Sequence, residues 1–137
     1  MKVKGDGTKA KPWQLKTPPG SSEFTAYREG DELVVQVGST QLKYQARCIE
    51  DLHAMLVKHG DWMLLGSADE AKPAADATIE AWGRAKTNPV KGWYGIKKGF
   101  RGRFGMYVPP VLEALGLAEV EHAARNNRMR ALGKPGR

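Results

Sequence analysis

The chain has 137 residues, of which 41% are hydrophobic, and a formal net charge of +7. This length and composition exclude wholesale disorder and suit one domain, or two small halves that share one core. The sequence has no apolar run that could span a membrane, no apolar segment typical of a secretory signal, and a single cysteine, Cys48, so we expect a cytoplasmic protein without an intramolecular disulfide.

The first half of the chain is predicted to be an antiparallel β-meander followed by a helix. Residues 1–12 are polar and rich in lysine and glycine, which predicts a flexible basic N-terminus. Within residues 13–66, alternating apolar and polar side chains predict strands over 23–28, 33–37 and 41–47. Gly30 and Gly38 suit the turns between them. Apolar residues recur at helical spacing from Ile49, and Gly60 is the expected end of that helix.

The composition of the chain changes at residues 67–77. This segment contains three acids and many alanines and is predicted to be a linker. Asp76 or Thr78 is expected to cap a second helix that runs through Ile79 and Trp82. That helix must end before the Asn88-Pro89 step, because the residue before a proline disfavours helical backbone.

The last part of the chain is predicted to contain a short helix and two strands. Since proline suits the first turn of a helix and not its interior, the helix should begin at Pro109. Val111, Leu112 and Leu115 would form its apolar face, and Gly116 would end it. Strands are expected over residues 117–122 and 128–132, on either side of a turn over 123–127. Residues 133–137 are predicted to be a flexible basic tail.

This last part resembles the end of a winged-helix DNA-binding domain. The pieces that carry the resemblance are LEALGLAEV, residues 112–120, and RNNRMR, residues 125–130. In that family a recognition helix ends at a Gly-Leu pair and leads into a two-stranded wing whose tip carries arginine. The resemblance implies an α+β fold, with an N-terminal antiparallel β-meander plus a helix and a C-terminal winged-helix-like half over residues 78–132. The whole chain is also similar to small uncharacterised bacterial proteins, which implies no activity.

The stretch GWYGIKKGFRGRFG, residues 92–105, combines four bases and four aromatic residues with no acid. It lies in a region of net charge +7, residues 91–137, whereas residues 21–69 carry −4. The aromatic residues are expected in the core, because Phe100, Phe104 and Tyr107 follow helical spacing, and Trp93 is grouped with them. The bases then face outward. The predicted nucleic-acid-binding residues are Lys97, Lys98, Arg101 and Arg103 in this stretch and Arg125, Arg128 and Arg130 in the wing.

These patterns favour a nucleic-acid-binding protein without catalytic residues, metal or cofactor, with DNA preferred over RNA as the partner. Two alternatives stay open: a protein–protein interaction adaptor, and a metal-dependent hydrolase that acts on nucleic acid. The histidines lack metal-ligand spacing, but the acids of residues 61–76 form a loose cluster that suits a divalent cation. A basic surface can also serve solubility alone. The N-terminal sheet is a candidate surface for a homodimer.

Overall fold

A computed structural model describes residues 3–132 and contains ten helices and strands within that range. Its N-terminal part is a four-stranded antiparallel sheet in which neighbouring strands follow one another along the chain. The strands are β1, Trp13–Lys16; β2, Glu23–Glu29; β3, Glu32–Val37; and β4, Thr40–Gln45. Gly30 and Gly38 take φ values of 61° and 58° in the turns between strands, as the sequence predicts. The predicted meander is confirmed.

Both edges of this sheet are covered by the chain itself. On one side, the backbone N–H of Gln14 donates to the carbonyl of Lys4 at 2.9 Å, so part of the predicted flexible N-terminus lies along β1. On the other side, Gln45 donates to the carbonyl of Tyr94 and Ile96 donates to the carbonyl of Lys43, at 2.9 and 2.8 Å. The segment around residues 94–96 therefore continues the sheet beyond β4.

The helix that follows the meander is α1, Cys48–His59, and its predicted position and its predicted end at Gly60 are confirmed. Glu50 and Asp51 lie in its first turn and Lys58 and His59 in its last, which complements the helix dipole. Gly60 ends it with φ of 72°, and its N–H donates to the carbonyl of Leu56. A two-residue strand, β5 (Met63–Leu64), comes next.

The second helix, α2, is a single turn, Ile79–Trp82, and is shorter than the helix over residues 79–86 that the winged-helix resemblance implies. Its predicted cap is correct, because the Thr78 hydroxyl accepts the N–H of Ala81 at 3.1 Å. The helix ends early because Asn88 donates its side-chain amide to the carbonyl of Trp82 at 2.7 Å. Gly83 then packs against the ring of Phe104, where a Cβ atom would lie 2.5 Å away.

The third helix, α3, spans Phe104–Ala114, and the prediction that it begins at Pro109 is wrong. The chain enters it five residues earlier and continues through Pro109 and Pro110, although both lack an N–H for the helix. Val111 and Leu112 are buried as expected, but Leu115 caps the helix and is 41% exposed. Eight of the eleven α3 residues are buried, and this burial stabilises the helix against the missing hydrogen bonds.

The chain ends in a second sheet, whose strands are β6, Ala118–Val120, and β7, Arg128–Ala131. Both agree with the predicted strands, although each is shorter. The order in this sheet is β5-β7-β6, with antiparallel pairing throughout. One hydrophobic core joins the two sheets through α1 and α3, and includes Phe24, Tyr44, Leu52, Phe104 and Met129. The two halves of the chain therefore share one core.

Within residues 3–132, every helix is too short or too polar to cross a membrane. The predicted basic tail, residues 133–137, lies outside the described residues.

Candidate nucleic-acid interface

The aromatic residues of the 92–105 stretch divide into buried and exposed rings. Phe104 and Tyr107 are buried as predicted, and Trp93 is half-buried. Phe100 is 43% exposed, so its assignment to the core is wrong. The reason is local: its N–H donates to the carbonyl of Lys97 at 2.8 Å, which closes a turn, and α3 begins only after that turn. Helical spacing therefore does not relate Phe100 to Phe104.

Tyr94 is the core aromatic that sequence reasoning missed. It is fully buried, and its ring stacks on Trp82 and on Phe104 with centroid distances of 5.2 and 5.5 Å. Its hydroxyl donates to Asp51 of α1 at 2.9 Å. Tyr94 lies in an extended segment between glycines, and no periodicity in the sequence distinguishes it from its exposed neighbours.

Trp93 is held between two arginines. The guanidinium carbons of Arg84 and Arg101 lie 4.4 and 4.7 Å from its ring centroid, within the range of a cation–π contact. Arg84 in turn donates to the carboxylate of Glu80 at 2.7 Å, and that carboxylate, which is fully buried, also accepts the N–H of Gly105 at 2.8 Å. A buried ion pair thus anchors the start of α3 and the indole ring to α2.

The predicted linker, residues 67–77, contains no helix or strand but is bound to the basic stretch through its acids. Glu70 accepts two hydrogen bonds from the Arg101 side chain, at 2.9 and 3.0 Å, and others from the backbone N–H groups of Gly99 and Arg101. These bonds, above all those from the Arg101 side chain, lower the pKa of Glu70 to about 2. Next to it, Asp69 pairs with Arg103. Two of the predicted phosphate ligands are therefore occupied by carboxylates.

The arginines of the small sheet are paired in the same way. Arg128 donates to Glu121 at 2.7 Å, and Arg130 donates to Glu119 at 2.8 Å. Both guanidiniums also lie near the indole ring of Trp62, at 5.1 and 4.5 Å from its centroid. This outer face of the sheet carries two positive and two negative charges, so its local net charge is zero.

Between Glu80 and Glu113, four lysines have no carboxylate partner among residues 3–132. No acid occurs between Glu80 and Glu113, a segment that holds seven bases, and three of these bases are the arginines already paired with Glu80, Glu70 and Asp69. The other four bases are exposed lysines: Lys86, Lys91, Lys97 and Lys98. Arg125, in the turn between β6 and β7, likewise has no ion pair among residues 3–132.

Residues 96–100 form an exposed turn, which we name the lysine turn. Ile96 and Phe100, at its two ends, are 44% and 43% exposed, and Lys97 and Lys98 lie between them. Gly99 takes a φ of 89°, which few other residues adopt without strain. The ammonium group of Lys97 donates to the carbonyl of Gln41 at 3.2 Å and lies 5.2 Å from the Phe100 ring centroid. The turn therefore presents two positive charges beside two apolar side chains.

The side chains of His122 and Cys48, which could take part in chemistry, are instead engaged or buried within the fold. His122 contacts the Pro18 carbonyl at 2.8 Å and the Glu113 carboxylate at 2.6 Å, at one end of a groove of about 780 Å³ between α3 and the β1–β2 strands. Burial lowers the pKa of His122, but these two hydrogen bonds outweigh it and raise the pKa above 6.5. Cys48 is buried, and burial raises the pKa of its thiol. Among residues 3–132, no three His, Cys, Asp or Glu side chains are grouped so that they could hold a metal ion.

The described residues define a mixed α+β protein in which an antiparallel meander and a smaller antiparallel sheet share one core. A family model matches residues 5–132, and the chain belongs to this family, a family of unknown function, DUF6855. No curated protein matches the chain, and no solved structure matches it.

Proposed function

We propose that the protein binds nucleic acid, with DNA preferred over RNA, through the lysine turn and the two lysines that precede it. The observation that carries this proposal is the group of four exposed lysines without carboxylate partners, in a segment that has no acid of its own. Each lysine that neutralises a phosphate releases a condensed counterion, which favours binding. A lysine that already has a carboxylate partner gains less from a phosphate.

The order of elements at the end of the chain supports a winged-helix-like half. Helix α3 is followed directly by the hairpin of β6 and β7, in the positions of a recognition helix and its wing, and Arg125 lies in the turn between the two strands. However, α3 is nearly all buried, carries no base, and packs its Tyr107 edge-on against Phe24 of β2 at 5.0 Å. We therefore propose contacts to phosphates in place of base reading by this helix.

In this proposal, each paired arginine can bind a phosphate of the nucleic acid only if its guanidinium first releases its carboxylate partner. Arg101, Arg103, Arg128 and Arg130 each have an acidic partner in the free protein. Phosphate and carboxylate are both recognised well by the guanidinium fork, so the exchange conserves hydrogen bonds but gains little free energy. Lys97 and Lys98 are therefore the residues that contribute most to phosphate binding in this proposal.

We also propose that the protein is cytoplasmic, because its single cysteine is buried and reduced, as is usual in that compartment.

The second candidate function is that of an adaptor, and the exposed side chains of Ile96 and Phe100 favour it. Exposed apolar side chains beside charges are typical of protein-binding surfaces. Binding to a protein through these two residues would depend little on salt, whereas binding to phosphates would weaken steeply as salt is added.

The test is a titration of a dye-labelled DNA duplex with the protein, followed by fluorescence anisotropy. We expect Lys97→Ala/Lys98→Ala to weaken binding strongly. The matched control, Lys11→Ala/Lys58→Ala, removes the same charge from exposed positions outside this surface and should bind almost as well as the unaltered protein. An equal loss in both variants would mean that only net charge matters, and no binding by the unaltered protein would exclude the proposal.

A further inference from the structure

A cavity of about 500 Å³ lies directly beside the lysine turn. Its walls come from the β3–β4 hairpin, from residues 69–71 and from the loop of residues 99–103. This volume falls within the range of roughly 300–1,000 Å³ that is usual for small-molecule sites. The lining is apolar on one side, at Val37 and Leu42, and carries an ion pair, Asp69 with Arg103, on another.

We propose that this cavity receives an unpaired nucleobase of a single strand whose phosphates lie on the lysine turn. The inference rests on the proposed function and specifies the part of the nucleic acid that the site recognises. Phosphate contacts at Lys97 and Lys98 would hold any strand, whereas the cavity would hold only a base that is free to leave its stack.

Phe100 is the first reason for this assignment. It lines the cavity, and it is the only one of the three phenylalanines that is exposed. Phe24 and Phe104 each have aromatic partners in the core, whereas Phe100 has no aromatic partner among residues 3–132 and its ring lies beside the ammonium group of Lys97. An exposed aromatic ring beside basic side chains is the arrangement on which single-stranded nucleic acids stack their bases.

The polar side of the cavity is the second reason. Arg103 donates hydrogen bonds and Asp69 accepts them, and both side chains are 47% exposed, so they can turn toward a ligand. The edge of an unpaired base presents donors and acceptors side by side, which a neighbouring carboxylate and guanidinium can pair together. Tyr107 is buried and closes the cavity from the side of α3. The site thus offers a ring for the face of a base and an ion pair for its edge.

The loop that carries these groups packs directly against the backbone of residues 68–70. A Cβ atom on Gly102 would lie 2.3 Å from the backbone nitrogen of Glu70, so the two segments touch through their backbones. The hydroxyl of Tyr44 donates to the carbonyl of Gly102 at 2.7 Å from inside the core. The cavity wall is therefore held in place before any ligand binds, which lowers the entropy cost of binding.

The experiment compares a short dye-labelled single strand of mixed sequence with the duplex of the same sequence, by fluorescence anisotropy. Phe100→Ala should weaken binding to the single strand about 5- to 100-fold, which is the magnitude of base–aromatic stacking, and should change binding to the duplex by less than about twofold. Phe100→Tyr, which retains a ring, should restore binding to the single strand. The control is Leu115→Ala, which removes a similarly exposed apolar side chain outside both the lysine turn and the cavity.

The outcomes separate this inference from the function on which it rests. If Phe100→Ala binds single strand and duplex as the unaltered protein does, or weakens both equally, the base site is overturned while nucleic-acid binding stands. If the unaltered protein binds neither probe, both proposals fail. Because Phe100 is exposed, its variants should keep the melting temperature of the unaltered protein, and this measurement excludes misfolding as the cause of a loss.

Discussion

The buried Glu80–Arg84 ion pair links α2 to the start of α3, and a substitution at Glu80 tests how much this pair stabilises the fold. Glu80→Ala would remove the partner of a guanidinium whose side chain is only 12% exposed and would also leave the N–H of Gly105 without an acceptor. Breaking a buried ion pair by removing one partner costs about 3–5 kcal/mol, because the other charge stays buried without compensation. We expect a loss of this size in the free energy of unfolding.

The contacts of Arg84 explain why little of this loss can be recovered. Its guanidinium also donates to the carbonyls of Ala68 and Lys72, at 3.1 and 2.8 Å, so it cannot swing into water without releasing the acidic segment. Its Nε atom is buried and has no hydrogen-bond partner among residues 3–132. Loss of the Glu80 carboxylate would thus destabilise both the start of α3 and the segment of residues 68–72.

The assay is urea denaturation followed by tryptophan fluorescence, since the chain has four tryptophans. Glu80→Gln keeps an acceptor for Gly105 and removes only the charge, so it should be less destabilised than Glu80→Ala by about 1 kcal/mol. Glu80→Leu combined with Arg84→Met removes both charges and should be more stable than Glu80→Ala. A Glu80→Ala loss below about 1 kcal/mol, or a double variant less stable than the single, would refute this reasoning.

Four further predictions concern the core and the ionisable groups. Phe104→Ala should cost about 3–5 kcal/mol in urea denaturation, whereas Leu115→Ala, on an exposed residue, should cost less than about 1 kcal/mol; similar losses would contradict the burial of α3. Since the pKa of Glu70 falls to about 2 on folding from an ordinary value of 4.5, its stabilisation should be complete above pH 4.5 and lost toward pH 2, and Glu70→Gln should flatten this acid limb of the melting temperature. Since the pKa of His122 is raised on folding, its stabilisation should be complete below pH 6.5 and lost as pH rises through the raised pKa, a dependence that His122→Gln should abolish. Cys48 should react with a thiol reagent only after denaturant is added, and rapid labelling of the folded protein would place it at the surface.

The features that the sequence predicts correctly are those with local causes. The strands of the meander follow from alternation and from Gly30 and Gly38 in the turns, and α1 follows from apolar spacing and Gly60. The Thr78 cap is also local, because its hydroxyl needs only the N–H three residues ahead. Each of these signals lies within a few residues of the structure that it determines.

The features that the sequence does not predict depend on distant contacts. The local rule against proline within a helix fails in α3 because burial from both sheets stabilises the helix. The candidate site depends on Glu70 and Arg101, which are far apart in the chain. It also depends on Glu80, a charged residue whose burial the sequence does not indicate. The acids of the 67–77 segment and the bases of 92–105 have complementary charges, but composition alone does not show that they meet.

If the exposed lysines of the 96–100 turn contact phosphates, the affinity for duplex DNA must depend on salt. We expect the logarithm of the binding constant to fall linearly with the logarithm of salt concentration. We also expect Lys97→Ala/Lys98→Ala to reduce the magnitude of this slope by about 1.8, since each lost phosphate contact removes roughly 0.9. A slope that is the same in the variant and in the unaltered protein, or an affinity that does not depend on salt, would contradict phosphate contacts at these lysines.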